Sequence, residues 1–363
     1  MVNSITFENF RGLKKLELPE LSQITLLTGQ NNAGKSSVLE GIYLTCTHVI
    51  PGALSLVCGF RGLQSNHFSN VFDAIFHNLN VTAPVIITKE ANGNFSRLVY
   101  EQDQFLVQEQ SPFLLEKMDN IPGPFSGINS SNFPHGLIFH FTQEGYSEEG
   151  GFSLSGNPPR IVVTSMKTSL ENNRVISFIP AYYIGSGNNG IDYMISEWIG
   201  QLELQGKKTT VINALNMIEP SIHDFSMIVR QGQAELYAYT GEKLIPFKLM
   251  GEGTNKLLHI LLAILENPNS VILIDEVEAG FYYDIQKKLW SAIAEAARER
   301  ECQIIAATHS YECIQNAVDG IAEAGMEDSF CLYRLERKGE ENRAFRLSGD
   351  LLHYSIDANM EVR

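Results

Sequence analysis

Residues Ile24-Thr25-Leu26-Leu27-Thr28-Gly29-Gln30-Asn31-Asn32-Ala33-Gly34-Lys35-Ser36 run from a short apolar segment into a Gly/Asn-rich loop ending in Gly-Lys-Ser. The segment Ile24–Leu27 reads as a strand buried on both faces. Apolar residues then recur at Val38, Leu39, Ile42, Tyr43 and Cys46, which is helical spacing. The loop between them fits G-x-x-x-x-G-K-[ST] at every fixed position. Glycines let the backbone curl so that successive N–H groups point at phosphate oxygens, and the following helix presents its positive end to the same anion. Lys35 has the reach for β- and γ-phosphates, and the Ser36 hydroxyl suits Mg²⁺. Strand before and helix after are the context this pattern requires.

Further along, Val271-Ile272-Leu273-Ile274 ends in Asp275-Glu276. Four apolar residues closed by two carboxylates fit a central parallel strand whose carboxyl end opens on a ligand. Asp275 would then hold the Mg²⁺ shell, and Glu276 would act as general base on the attacking water. The strand Gln303–Thr308 leads into His309, placed where an imidazole meets a γ-phosphate or fixes that water. Met250-Gly251-Glu252-Gly253-Thr254 is a second Gly-rich loop before a helix. One chain needs one phosphate cradle. A second cradle implies a dimer in which Gly251, Glu252 and Gly253 cap a nucleotide held by the partner.

These elements, in this chain order, resemble the ATP-binding-cassette (ABC) ATPases: Walker A, signature loop, Walker B and switch histidine. The resemblance extends to the RecF and OLD (overcoming-lysogenization-defect) group through Asn9-Phe10-Arg11-Gly12, Gly29 to Ser37, Ile274 to Gly280, Trp290, and Ala307-Thr308-His309-Ser310. It covers about residues 1–48 and 249–315. It implies ATP and Mg²⁺ as cofactors, held by Gly29, Asn31, Asn32, Gly34, Lys35, Ser36 and Ser37 with metal at Ser36 and Asp275. Catalysis falls to Glu276 and His309, and Arg11 is expected to approach the nucleotide. Two departures stand out. Gly251 occupies the position where the signature usually has serine, which implies weaker closure or hydrolysis. Only 54 residues follow His309 and they hold no D-x-D, so the chain resembles a stand-alone ATPase without the Toprim nuclease domain of many OLD proteins.

The remaining sequence sets limits. With 27 basic and 42 acidic residues the net charge is −15, which argues against a surface built to coat nucleic acid or anionic lipid. Residues 101–150 alone carry eight carboxylates against Lys117, in a Gly/Pro/Asn/Ser-rich context that reads as acidic loops. Five cysteines form no C-x-x-C pair, and the N-terminus lacks a signal-peptide profile, so a reducing cytoplasm is the expected setting. The apolar stretch Leu257–Leu265, interrupted by His259, is too short for a membrane span. Gly185-Ser186-Gly187-Asn188-Asn189-Gly190 matches the dinucleotide pattern G-x-G-x-x-G. Pro180 in the preceding run suits a central strand poorly, so a loop is preferred there over NAD or FAD binding. No position is evident for the loop glutamine that ABC ATPases place on Mg²⁺, beyond a guess at Gln64.

The expected fold is α/β, an ABC-type P-loop nucleotide-binding head with an inserted antiparallel β lobe and helices. The head would comprise 1–80 and 240–363, and the lobe 81–239. The hairpin signal Asn92-Gly93, a helix over Tyr193–Ile218 and the paired strands Ala234–Tyr239 and Lys243–Phe247 fall in or at the edge of that lobe. The expected function is an ATPase that closes as a homodimer or higher homo-oligomer around ATP. The OLD resemblance implies that it switches a separately encoded effector, a nuclease, in anti-phage defence. RecF-like DNA repair or DNA-end sensing, and a regulatory ATP-binding scaffold with little turnover, are the alternatives. DNA is a possible partner that the net charge does not support.

Overall fold

The computed structural model describes residues 1–47, 50–61, 71–103, 136–155, 160–170, 178–185, 192–230, 233–349, 351–352 and 354. Gln64, Ser186 to Gly190 and most of the acidic stretch lie outside them. At the centre is a six-stranded sheet in the order β16 (Glu341–Leu347), β15 (Phe330–Lys338), β3 (Ile24–Thr28), β14 (Gln303–Ala307), β13 (Val271–Ile274), β9 (Ala181–Ile184). All its pairings are parallel except β15 with β16. Strands buried on both faces are what such a sheet requires, and β3, β13 and β14 are buried at every residue.

Side-chain alternation divides these strands between two cores. Ile272, Ile274, Ile304 and Ala306 face one cluster with α3 (Asp192–Gln205), α4 (Lys208–Leu215), α5 (Glu252–Glu266), α6 (Tyr283–Arg300) and α7 (Tyr311–Glu323). Val271, Leu273, Ile305 and Ala307 face the other, with α1 (Lys35–Cys46) and α2 (Ile50–Phe60). That second core is closed by an antiparallel seven-stranded sheet. Its order is β2 (Leu13–Leu18), β1 (Val2–Phe10), β4 (Val85–Ala91), β5 (Asn94–Asp103), β6 (Gly136–Gln143), β7 (Tyr146–Ser155), β8 (Arg160–Leu170). A third sheet pairs β10 (Asp224–Arg230), β11 (Gln233–Tyr239) and β12 (Leu244–Pro246).

This is the α/β, ABC-type head expected, with antiparallel strands and helices between its two ends. The sequence places boundaries at 80/81 and 239/240. β4 is bonded to β1 along Val2–Glu8, and β11 to β12 along Leu244–Pro246, so both boundaries cut hydrogen-bonded sheets. β9, from the middle of the chain, is an edge strand of the central sheet beside β13. Pro180 precedes that edge strand, where a missing N–H costs no ladder bond. The helix expected over Tyr193–Ile218 is two helices, broken at Gly206 with φ 68°. Asn92 and Gly93, at φ 52° and 79°, make the hairpin turn between β4 and β5. Among the described residues no helix is long and apolar enough to cross a membrane.

Candidate functional site

The carboxyl ends of β3, β13 and β14 meet at one cavity of about 720 Å³. Its first wall is the loop into α1. Gly29 has φ 134° and Gly34 has φ 105°, values that L side chains rarely adopt. The space is also closed: a Cβ at Gly29 would lie 2.2 Å from the Leu335 carbonyl oxygen, and one at Gly34 2.4 Å from Leu13 Cδ2. Asn32 completes the curl at φ 65°, a conformation asparagine tolerates. Gly34 is the N-cap of α1 and its carbonyl accepts the first helical bond from Val38 at 2.9 Å. Lys35 folds its ammonium onto the loop itself, donating to the Gly29 and Gln30 carbonyls at 2.7 and 3.1 Å. Burial lowers its pKa, and Asp275, Glu278 and Glu276 oppose that shift. Asn31, Asn32, Gly34, Lys35, Ser36 and Ser37 all line the cavity, with Gly29 packed beneath.

The second wall is the end of β13. Asp275 and Glu276 line the cavity, Asp275 half-buried and Glu276 exposed. Glu276 has φ 47°, a left-handed backbone that costs about 1–2 kcal/mol for an L residue. Lys256 of α5, only 6% exposed, holds it there by donating to the carbonyls of both Asp275 and Glu276. Asp275 is fixed as well: Tyr183 Oη donates to its Oδ2 at 3.0 Å and the Glu276 N–H to its Oδ1 at 3.1 Å.

His309 stands on the third wall, beyond β14. Its own N–H donates to Glu278 Oε1 at 3.0 Å, and its Nδ1 lies 3.1 Å from the same oxygen. Glu278 thus occupies Nδ1 and leaves Nε2 as the ring nitrogen to meet a ligand. Ser310 caps α7, accepting from the Cys313 N–H at 3.1 Å, so the histidine sits at a defined strand-to-helix junction.

Arg11 also lines the cavity, but it is 8% exposed and committed to an ion pair. Its Nε lies 2.9 Å from Glu40 Oε2, while Arg61 donates to both Glu40 oxygens at 2.7 and 3.3 Å. Two guanidiniums therefore share one carboxylate whose side chain is 1% exposed. The excess positive charge lies on the Arg61 side, which is 41% exposed and faces the cavity.

The signature loop stands apart from this cavity. Gly251 is the N-cap of α5, and both it and Glu252 are exposed. Asn255 ties the loop down, its Nδ2 donating to the carbonyls of Phe247, Met250 and Gly251 at 2.9–3.1 Å. Gly253 is different: it is buried, and a Cβ there would lie 2.2 Å from the Gly280 carbonyl oxygen. Gly253 is thus packed against the backbone of its own chain, while Gly251 and Glu252 are the exposed residues of the loop. Gly253→Ala is accordingly expected to lower stability by about 1–3 kcal/mol, the cost of overpacking, read as a fall in the urea midpoint. Gly251→Ala, with φ −52° and no atom nearer than Thr254 Oγ1 at 4.0 Å, should leave that midpoint in place.

Sequence reasoning missed Tyr183, Lys256, Glu278, Glu40 and Arg61. Glu40 and Lys256 carried a readable signal, a lone charge on an apolar helix face. Glu278 lies inside a quoted motif without having been given a role. Tyr183 carried none, because only the pairing of β9 with β13 brings it to Asp275.

Loop, carboxylates and basic side chains fit a magnesium nucleotide. An ammonium provisionally bonded to carbonyls can move to phosphate oxygens, and Ser36 and Asp275 supply the hydroxyl and carboxylate that Mg²⁺ takes alongside phosphates.

Comparison with known proteins agrees with this geometry. Residues 164–314 match a family described as "AAA domain, putative AbiEii toxin, Type IV TA system", and residues 1–98 match "AAA ATPase domain". The chain is similar to an ATP/GTP phosphatase of Helicobacter pylori, 21% identical over 360 residues, covering 92% of each chain. A 44-residue stretch, 12% of this chain, is 48% identical to part of an uncharacterized protein of Methanocaldococcus jannaschii, 20% of that protein. Among solved structures, an Smc head bound to the C-terminal winged-helix domain of ScpA superposes with TM-score 0.51 at 14% identity, covering 96% of this chain and 98% of that one. These findings support an ABC-like ATPase and the ABC-type fold, and they single out neither the RecF nor the OLD branch.

Proposed function

We propose that the chain binds ATP with Mg²⁺ in the 720 Å³ cavity and hydrolyses it when two copies close on the nucleotide. One observation carries this reading. Lys35 and Ser36, Asp275 and Glu276, and His309 come from three distant parts of the sequence and line one cavity. Lys35 gives up the Gly29 and Gln30 carbonyls for phosphate oxygens. Ser36 and Asp275 would hold Mg²⁺, which when bound would supply charge neutralisation for the phosphates. Glu276, exposed and fixed at its backbone, accepts the proton of the attacking water. His309, with Nδ1 occupied by Glu278, meets the terminal phosphate or the water through Nε2. Arg11 and Arg61 add positive potential at the edge of the cavity.

Gly251 and Glu252 are held rigid, exposed and outside their own cavity, which is where a loop acting on a second copy has to be. Such a dimer is the switch by which the chain would act on a separately encoded effector in anti-phage defence, the task that the OLD-like motifs point to. The reading that favours little turnover rests on Gly251, which offers no hydroxyl to a γ-phosphate.

Mixing two inactive variants tests closure. Gly251→Asp places a negative side chain toward the partner's phosphates, and Lys35→Ala empties the chain's own site. A heterodimer has one composite site with both defects and one with neither. Phosphate release is expected to return on mixing, to roughly a quarter of the wild-type rate for statistical pairing of independent sites. Heterodimers that form and stay inactive would mean that the loop works within its own chain or that both sites must fire together. Gly251→Asp with full activity by itself would remove the loop from the mechanism.

A further inference from the structure

We propose that Tyr183 is a positioning residue for the metal: its hydroxyl sets the orientation in which Asp275 presents its carboxylate to Mg²⁺. This rests on the reading of Asp275 as the metal-holding carboxylate.

Register brings the two together. β9 pairs in parallel with β13, Tyr183 opposite Leu273 and Ile184 opposite Ile274, and the Asp275 N–H continues the ladder to the Ile184 carbonyl at 2.8 Å. Tyr183 lies on the face shared with α1 and α2 and is 5% exposed. Its ring is clamped there, stacked on Phe60 with centroids 4.2 Å apart and planes 11° apart, and edge-on to Tyr43 at 6.4 Å. A ring that cannot turn delivers its hydroxyl to one place, and that place is Asp275 Oδ2 at 3.0 Å. The phenol carries one O–H and the carboxylate offers only acceptor oxygens, so the hydroxyl is the donor of this bond.

The Glu276 N–H holds Oδ1 at 3.1 Å, so each carboxylate oxygen has one fixed donor. That pair of bonds sets the plane of the group and leaves lone pairs on both oxygens for a metal or its water. Donors behind a metal ligand orient it, and their loss weakens metal binding by roughly 10–100-fold. A tyrosine that merely satisfied its own burial would have no such effect on metal.

The test measures ATP affinity by calorimetry with Mg²⁺ and again in EDTA, and takes the ratio as the metal-dependent gain. Tyr183→Phe keeps the stacked ring and removes only the hydroxyl. It is expected to hold the EDTA affinity within about 2-fold and to cut the metal-dependent gain by roughly 10–100-fold. Asp275→Asn should cut the gain as well, and the double variant should be no worse than Asp275→Asn, because the hydroxyl acts only through that carboxylate. Three results overturn the proposal while leaving the metal site standing: an unchanged gain in Tyr183→Phe beside a lost gain in Asp275→Asn, additive losses in the double variant, or an equal loss with and without Mg²⁺. An unchanged gain in Asp275→Asn removes the metal site itself, and the role of Tyr183 with it.

Discussion

Glu276→Gln is expected to bind Mg²⁺-ATP and to release phosphate at least ~100-fold more slowly than wild type, the lower end of what a general base contributes. The substitution keeps side-chain size and hydrogen-bonding capacity but removes the carboxylate that takes the proton. Its surroundings keep the change local. The side chain is exposed, while the backbone at φ 47° is held by Lys256 through the Asp275 and Glu276 carbonyls rather than by the carboxylate. Slow hydrolysis with intact binding should also accumulate the ATP-closed form, seen as a shift from monomer to dimer in sedimentation with ATP but not with ADP. Wild-type turnover in this variant would assign the water to another residue.

Lys35→Ala is expected to bring ATP binding below calorimetric detection, a loss of at least ~100-fold. The ammonium makes two charge-assisted bonds to its own loop, at 2.7 and 3.1 Å, and these are the bonds a phosphate would replace. Two such bonds contribute about 3–6 kcal/mol at 1.5–3 kcal/mol each, which is two to four decades in affinity. The fold should survive, since Lys35 is only half-buried and the close approach of Gly29 to the Leu335 carbonyl and of Gly34 to the Leu13 side chain does not involve it. Unaltered urea unfolding together with lost binding would therefore be the signature of a binding residue. Tight ATP binding by the variant would remove the assignment of the loop.

Much of the site was legible because its chemistry restricts residue type. A loop that must curl around an anion needs glycine where φ is positive, and Gly29 and Gly34 are the residues at 134° and 105°. A strand whose carboxyl end opens on a cavity places the residues that follow it on the cavity wall, as β13 does with Asp275 and Glu276. The partition of the chain was not legible, because it depends on pairings remote in sequence. Nothing local in Val85–Ala91 announces that its partner is Val2–Glu8. The signature loop shows a subtler limit. Two glycines one residue apart look equivalent in sequence, yet Gly251 faces solvent and Gly253 is pressed against the Gly280 carbonyl. Which glycine is needed for which surface is a property of packing. Tyr183 and Asp275 make the same point: 92 residues separate two side chains 3.0 Å apart.

That three distant segments form a single nucleotide site is tested most directly by hydrogen exchange on the wild-type protein, with and without saturating Mg²⁺-ATP. Exchange should slow together over residues 29–37, 275–278 and 307–310, because one ligand contacts all three walls. Slowing over 29–37 alone, or nucleotide bound with protection confined to other parts of the chain, would contradict a shared site.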